Sequence, residues 1–412
     1  MKNLITQSLS IVLLWFVGSF LFTSCQKIEE VDQKPQLFTD TQYLVSATLI
    51  ADLSLDGVKS NLSADSLSAL ASDVTGLDLA GIKVYKLVYK TKDASGNEVL
   101  ASGAFLFSTS PTAKPLLSYQ HGTISKETGA PSLYTTNSLD SFIAGTYLAT
   151  LGYVVSIPDY LGYGENAAAD HPYEHRATLA SASLDMLRAA KEFSNRNDAI
   201  TLNNQLFLTG YSEGGSATMA LHQLIENSAS NEFTVTASAP GAGAYDKVEF
   251  AKDVTKRDEI MLNIKNYSWV ILTYNKLYAN LNRPLSYYFN EPYATNIANQ
   301  PEGEGITIDI EQNPSKLFTQ QFRDGLQNDT DTEFIAALSD NSSFNWKPVA
   351  PMTLYHGTAD QFVLFINSQS AFNTMTANGS TSVVLFPMNG TGHFDSVPTF
   401  VIEVNKFFNT FR

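Results

Sequence analysis

From residue 82 onward the chain alternates between short apolar runs and longer stretches whose apolar positions recur at helical spacing. Residues 82–89 and 99–107 are rich in β-branched and aromatic side chains. The turn-forming Asp93-Ala-Ser-Gly96-Asn97 lies between them, which predicts an antiparallel hairpin. A third strand is expected at 116–119, a fourth at 153–157, a fifth around Phe207 and Leu208, a sixth at 233–238, a seventh at 352–355 and an eighth at 383–386. Helical patterns fall between them: 137–151, closed by Gly152; 173–193, with Leu179, Ala182, Met186, Ala189 and Phe193 on one stripe; 216–225; and an amphipathic 397–408. Strands alternating with helices of this length predict an α/β fold, with a mostly parallel eight-stranded sheet covered by helices on both faces.

Two stretches break the alternation. Residues 25–80 are rich in Ser, Asp, Leu and Ala without a β pattern; short helices are expected at 41–49 and 63–71, in a tether and N-terminal extension lying on the core. Residues 244–347 are helical in places, irregular in others and crowded with aromatics, among them Tyr267, Trp269, Tyr274, Tyr287 and Tyr288. They read as an inserted, largely helical cap that divides the α/β core into 81–243 and 348–412. Most cap aromatics should fill its own interior. Yet a segment inserted after a strand of a parallel sheet emerges at the end where ligands bind, so some should face a cleft. Tyr287 and Tyr288 are the candidates for that substrate-binding wall, since tyrosine is apolar along its ring and polar at its tip.

The 412-residue chain carries a net charge of −15, which argues against nucleic-acid binding and against docking on anionic lipid through a basic face. Residues 1–24 follow the plan of a secretory signal peptide: Lys2, an apolar run from 9 to 22, then the small Thr23-Ser24. The run is short for a membrane span. The single cysteine, Cys25, rules out an internal disulfide. Leu21-Phe-Thr-Ser-Cys25 resembles a bacterial lipoprotein box. That resemblance implies a lipid on Cys25, and hence a membrane-anchored protein of the bacterial cell envelope, with the outer membrane as the expected location.

The chemistry gathers around Leu206-Phe-Leu-Thr-Gly210-Tyr-Ser212-Glu-Gly214-Gly215. Gly-x-Ser-x-Gly between a strand and a helix puts the serine on a sharp, strained turn with its hydroxyl exposed, and the helix start behind it offers N–H groups to negative charge. A serine nucleophile needs a base and an acid to orient that base. Of six histidines, His393 lies in the Gly-rich Asn389-Gly-Thr-Gly-His393 loop after the eighth strand and is the expected base. His121, His171, His175, His222 and His356 are read as structural. Asp360, in the loop after the seventh strand, is the expected acid; Asp395 is its rival but reads better as a helix cap. The order Ser212, Asp360, His393 fits such a sheet. Oxyanion donors are expected at the N–H groups of Glu213 and Thr123, with Gly122 permitting the turn. No metal site or cofactor is expected: Asn328-Asp-Thr-Asp331-Thr-Glu333 lacks the spacing of a calcium loop and reads as solvated.

Ser118-Tyr-Gln-His-Gly-Thr123, Pro158-Asp-Tyr-x-Gly-x-Gly164, His171-Pro-Tyr173, Gly210-Tyr-Ser-x-Gly-Gly215 and His356-Gly-x-x-Asp360 together resemble the secretory-lipase branch of the α/β-hydrolases. The resemblance covers the chain from about residue 81 and implies cofactor-free ester hydrolysis beneath a helical cap. The expected activity is a serine carboxylesterase on a small-molecule or glycan-linked ester. Open alternatives are an acetyl or feruloyl esterase on plant-type glycans, a peptidase, or a non-catalytic binding lipoprotein of the same fold.

Overall fold

In the computed structural model, residues 34–62, 80–124, 126, 128–301 and 304–412 are described. The signal-peptide segment, Cys25 and the helix expected at 63–71 lie outside them. β3 (Ile82–Lys92) and β4 (Glu98–Ser108) form the expected hairpin, closed through Asp93, whose carboxylate accepts from the N–H groups of Ser95 and Asn97. The remaining strands are β5 (Lys114–Gln120), β6 (Val154–Pro158), β7 (Leu202–Tyr211), β8 (Ala237–Gly241), β9 (Met352–Gly357) and β10 (Val383–Met388).

Among the described residues the sheet has ten strands rather than eight, since β1 (Gln36–Leu37) and β2 (Leu44–Leu53) precede the hairpin; the order is β1-β2-β3-β4-β6-β5-β7-β8-β9-β10. The added pair corrects the reading of the extension. Residues 41–49, expected as helix, lie largely in β2, which pairs antiparallel with β3 and with the short β1. The β-branched Val45, Thr48 and Ile50 favour the strand, and burying alternate residues on the β3 edge outweighs the helix-forming Leu and Ala. The pairings from β1 to β4 and on to β6 are antiparallel; those from β6 through β5, β7, β8 and β9 to β10 are parallel. The sixth expected strand also shifts: Phe233 and Val235 sink under a helix, and the ladder with β7 starts at Ala237.

Helices cover both faces. α1 (Leu55–Leu62), α2 (Thr146–Thr150) and the C-terminal α12 (Val397–Asn409) close one core, with Tyr147, Phe207, Phe400 and Phe408 inside it. α3 (Arg176–Ser194) and α4 (Glu213–Ser228) close the other, over Phe105, Phe107, Leu187 and Leu221. The helix expected from 137 starts as one π-helical turn, Asp140–Gly145, where Gly145 lets the chain press on Ile157.

Between β8 and β9 the chain is mostly helical: α5 (Lys247–Lys256), α6 (Ile264–Leu277), α7 (Tyr293–Ala298), α8 (Pro314–Leu317), α9 (Gln320–Gln327) and α10 (Thr332–Asp340). These helices build a third apolar cluster around Phe289, Phe318, Phe322 and Phe334, which also takes in Val363 and Leu364 after β9. Asp331, read as part of a solvated loop, is buried: it caps α10 through the Phe334 N–H and pairs with Arg283 at 2.8 Å. α11 (Ile366–Ala377) then leads into β10.

Candidate active site

The carboxyl ends of β5, β7, β9 and β10 converge, as sites in open parallel sheets do. At the end of β7, Ser212 has φ +62° and ψ −123°, a backbone region that side-chain-bearing residues rarely occupy. The surrounding backbone holds it there. Its N–H donates to Gly241 O at 2.9 Å, and a methyl group on Gly214 would stand 2.0 Å from Gln120 O. Glycine at 214 is thus a requirement of strand–helix contact.

Ser212 Oγ lies 2.9 Å from His393 Nε2, and His393 Nδ1 lies 2.6 Å from Asp360 Oδ2. The N–H groups of Phe362 and Val363 donate to Asp360 Oδ1 at 2.8 and 2.9 Å. His356 Nε2 approaches Asp360 Oδ2 at 3.3 Å, while its Nδ1 meets Ser368 Oγ. Burial alone would push the Asp360 carboxyl up, but hydrogen bonds and charge from His356 and His393 outweigh it and hold the group at about 2. Asp395 is exposed and does not reach His393; nor is it the helix cap, since Ser396 occupies that position. The imidazole of His393 stacks on Phe362 with centroids 5.6 Å apart.

Glu213 begins α4, so its N–H lacks an intrahelical acceptor. Gly122 sits against the serine: a methyl there would come 3.7 Å from Ser212 Cβ. Thr123 follows it, its Oγ1 3.1 Å from the Tyr173 hydroxyl. Gly122, Thr123, Ser212 and His393 all line one cavity of ≈ 820 Å³. Its far wall is Phe250, Val254, Tyr267, Val270, Ile271 and Phe322, from α5, α6 and α9.

Tyr287 and Tyr288 do not line this cavity, which corrects their assignment as its wall. Tyr288 is fully buried in the cluster between β8 and β9, bonded to Asn275 and packed on Phe322 at 5.1 Å. Tyr287 lies beneath the Arg283 guanidinium and donates to Asp331 at 3.1 Å. The Arg283–Asp331 pair thus holds Tyr287, and Asn275 with Phe322 holds Tyr288, away from the cleft.

Sequence reasoning also passed over two histidine–carboxylate contacts beside Ser212 and Asp360. His356 backs Asp360, a contact the spacing of four residues could have suggested. His171 Nε2 lies 2.7 Å from Glu213 Oε1, and the His171-Pro-Tyr173 motif was its visible trace. Deeper in the cleft, Glu174 and Lys247 form a buried ion pair at 2.7 Å.

The chain matches the model of a family described as secretory lipase over residues 131–401. A Legionella pneumophila protein described as a hydrolase is 26% identical with a TM-score of 0.77, over 90% of this chain and 98% of its own. The rice cell wall degrading esterase LipA of Xanthomonas oryzae is 24% identical with a TM-score of 0.77, over 90% and 99%. Candida antarctica lipase A is 16% identical with a TM-score of 0.58, over 76% and 73%. No curated protein matches the chain by sequence.

Because the folded Asp360 is held below its ordinary value of 3.8, its ionised form contributes stability above that value and loses it as pH falls through about 2. Wild-type protein should therefore lose on the order of 2 kcal/mol of unfolding free energy between about pH 4 and pH 2 through this group. Asp360→Asn should flatten that fall and leave less ester turnover than Asp395→Asn, which should keep it. Urea titrations across the range, with turnover measured at neutral pH, decide the matter, and the reverse order would assign the acid to Asp395.

Proposed function

Since the chain belongs to the secretory lipase family and is a carboxylic ester hydrolase, we propose that Ser212 is its nucleophile, His393 its general base and Asp360 the acid that orients the base. The observation that carries this reading is the unbroken contact from Ser212 Oγ through His393 to Asp360, at 2.9 and 2.6 Å. Ser212 Oγ attacks the ester carbonyl as His393 Nε2 takes its proton. The N–H groups of Glu213 and Thr123 receive the oxyanion, with Gly122 keeping the loop close. His393 then gives the proton to the leaving alkoxide, which departs and leaves an acyl group on Ser212. Water, deprotonated by His393, releases the acid and restores the serine.

The cavity wall suits an apolar acyl group, since Val254, Val270, Ile271 and Phe322 offer it no hydrogen-bonding side chain. A second reading, an ester borne on a plant-type glycan, draws support from the likeness to the rice cell wall degrading esterase; the apolar cavity would then take an aromatic acyl group. The N-terminal pattern supports attachment to the bacterial envelope through a lipid on Cys25.

A fluorophosphonate should label Ser212 in the folded protein. Ser212→Ala should take no label and should lose ester turnover by roughly a thousandfold or more. An unlabelled, folded wild type refutes the serine-hydrolase assignment. Val270→Trp, which fills the cavity, should lower kcat/KM for p-nitrophenyl decanoate on the order of tenfold and leave the acetate ester nearly unchanged. Equal losses on both esters would give Val270 a structural role only. Cys25→Ser should abolish incorporation of a palmitate analogue and move the protein out of the membrane fraction; retention there would overturn the anchor.

A further inference from the structure

Directly behind the nucleophile, His171 and Glu213 meet with both side chains wholly out of solvent. His171 Nδ1 lies 2.7 Å from Leu161 O, a carbonyl that can only accept, so Nδ1 carries a proton. Nε2 faces the Glu213 carboxylate at 2.7 Å, and a neutral ring would turn a lone pair onto that oxygen. The contact is favourable when Nε2 is protonated as well. Around the ring stand Tyr160, Tyr163, Tyr173 and Trp269, with centroids 4.6 to 6.2 Å away, an aromatic surround of the kind that stabilises a cation. Burial by itself would lower the imidazole's affinity for its proton, but the Glu213 carboxylate outweighs that and raises it.

We propose that His171 is a buried imidazolium that acts as a positioning residue for the oxyanion hole, fixing Glu213 from behind and, through its aromatic surround, the Thr123 loop. The inference rests on the assignment of Ser212, Glu213 and Thr123 given above. Glu213 follows the nucleophile, so holding its carboxylate fixes the first residue of α4, whose N–H points at the oxyanion. On the other side Tyr173 places its hydroxyl 3.1 Å from Thr123 Oγ1 and accepts from Asn266 of α6 at 3.0 Å. Trp269, also on α6, stacks on Tyr173 at 4.1 Å with the planes 6° apart. Tyr160 packs on His171 and, at 4.1 Å, on His121, whose chain runs straight into Gly122. One charged ring thus joins the elbow, the oxyanion loop and the segment between β8 and β9.

The titratable groups facing His171 are Glu213 on α4, Glu304 beyond α7, and Tyr160, Tyr163 and Tyr173 on its own loop; Glu174, the next residue along, is occupied by Lys247. A raised imidazole contributes fully below its ordinary value of 6.5, and the contribution is lost as pH rises through the folded value. The wild-type enzyme should therefore show an alkaline fall in kcat that follows His171.

The test begins on unmodified protein: histidine carbon and nitrogen shifts should show His171 as imidazolium at about pH 7. His171→Phe and Glu213→Ala should each lower kcat for p-nitrophenyl esters on the order of tenfold or more with KM little moved, since the donors act in the transition state. Glu213→Gln, whose amide can donate to a neutral Nε2, should recover most of the loss from Glu213→Ala and should lack the alkaline fall. A wild type whose Ser212 takes no fluorophosphonate defeats the hydrolase assignment itself. An active, labelled wild type in which His171 is neutral, or in which the variants lose only melting temperature and keep kcat, overturns the positioning role alone.

Discussion

A serine held at φ +62° is worth about 1–3 kcal/mol less than one in ordinary backbone, and it stays there only if its surroundings permit no alternative. Here the surroundings are mostly backbone. The Gly241 carbonyl takes the Ser212 N–H, and the Gln120 carbonyl lies so near α4 that position 214 has no room for a side chain. The same close approach brings Gly122 against Ser212, because Gln120 and Gly122 belong to one short stretch at the end of β5. Ser212 and the Gly122–Thr123 loop are therefore set by one contact between β5 and the start of α4. Register along the parallel strands carries that precision outward to Asp360 and His393.

The second organising term is buried charge. Asp360, Glu213 and Glu174 are each removed from solvent beside the cleft, and each has a cation or imidazole against it: His393 with His356, His171, and Lys247. Desolvation of an isolated carboxylate costs several kcal/mol, and the partner against each of the three offsets that cost. Three such pairs lie close to one serine, in a medium where electrostatic contacts act more strongly than in water. Such an arrangement holds geometry as much as it adds stability.

The parts of this structure legible in the sequence are those with a local signature. The hairpin at 82–108, the parallel strands and the Gly-x-Ser-x-Gly turn declare themselves through alternation and glycine spacing. Residues 41–49 did not, because Leu and Ala are compatible with either state and the decision belongs to the β3 edge, which is distant in sequence. Tyr287 and Tyr288 misled for a related reason: aromatic content shows that an interior exists, while which ring faces a cleft depends on contacts such as Arg283 with Asp331. The Ser212, His393 and Asp360 contacts could be read from glycine-rich loops at strand ends, whereas other pairs across the cleft come from separated segments with little to announce them. His171 and Glu213, 42 residues apart, left only the His171-Pro-Tyr173 motif as a trace.

Val363 is one of the residues that tie the segment between β8 and β9 to the end of the sheet. Its N–H holds Asp360 Oδ1, and its side chain belongs to the apolar cluster of α5 to α10. The sheet's own two cores do not share that cluster, so side chains of α5 to α10 that touch neither Val363 nor the surround of His171 can change and recut the wall of the cavity while the turn at Ser212 stays fixed. That freedom has a limit: a volume change beside Val363 is transmitted to the Asp360 carboxylate that lies against His393. Changes along α6 and α9 away from Asn266, Trp269 and Phe322 would be absorbed locally, whereas a change beside Val363 calls for a compensating one.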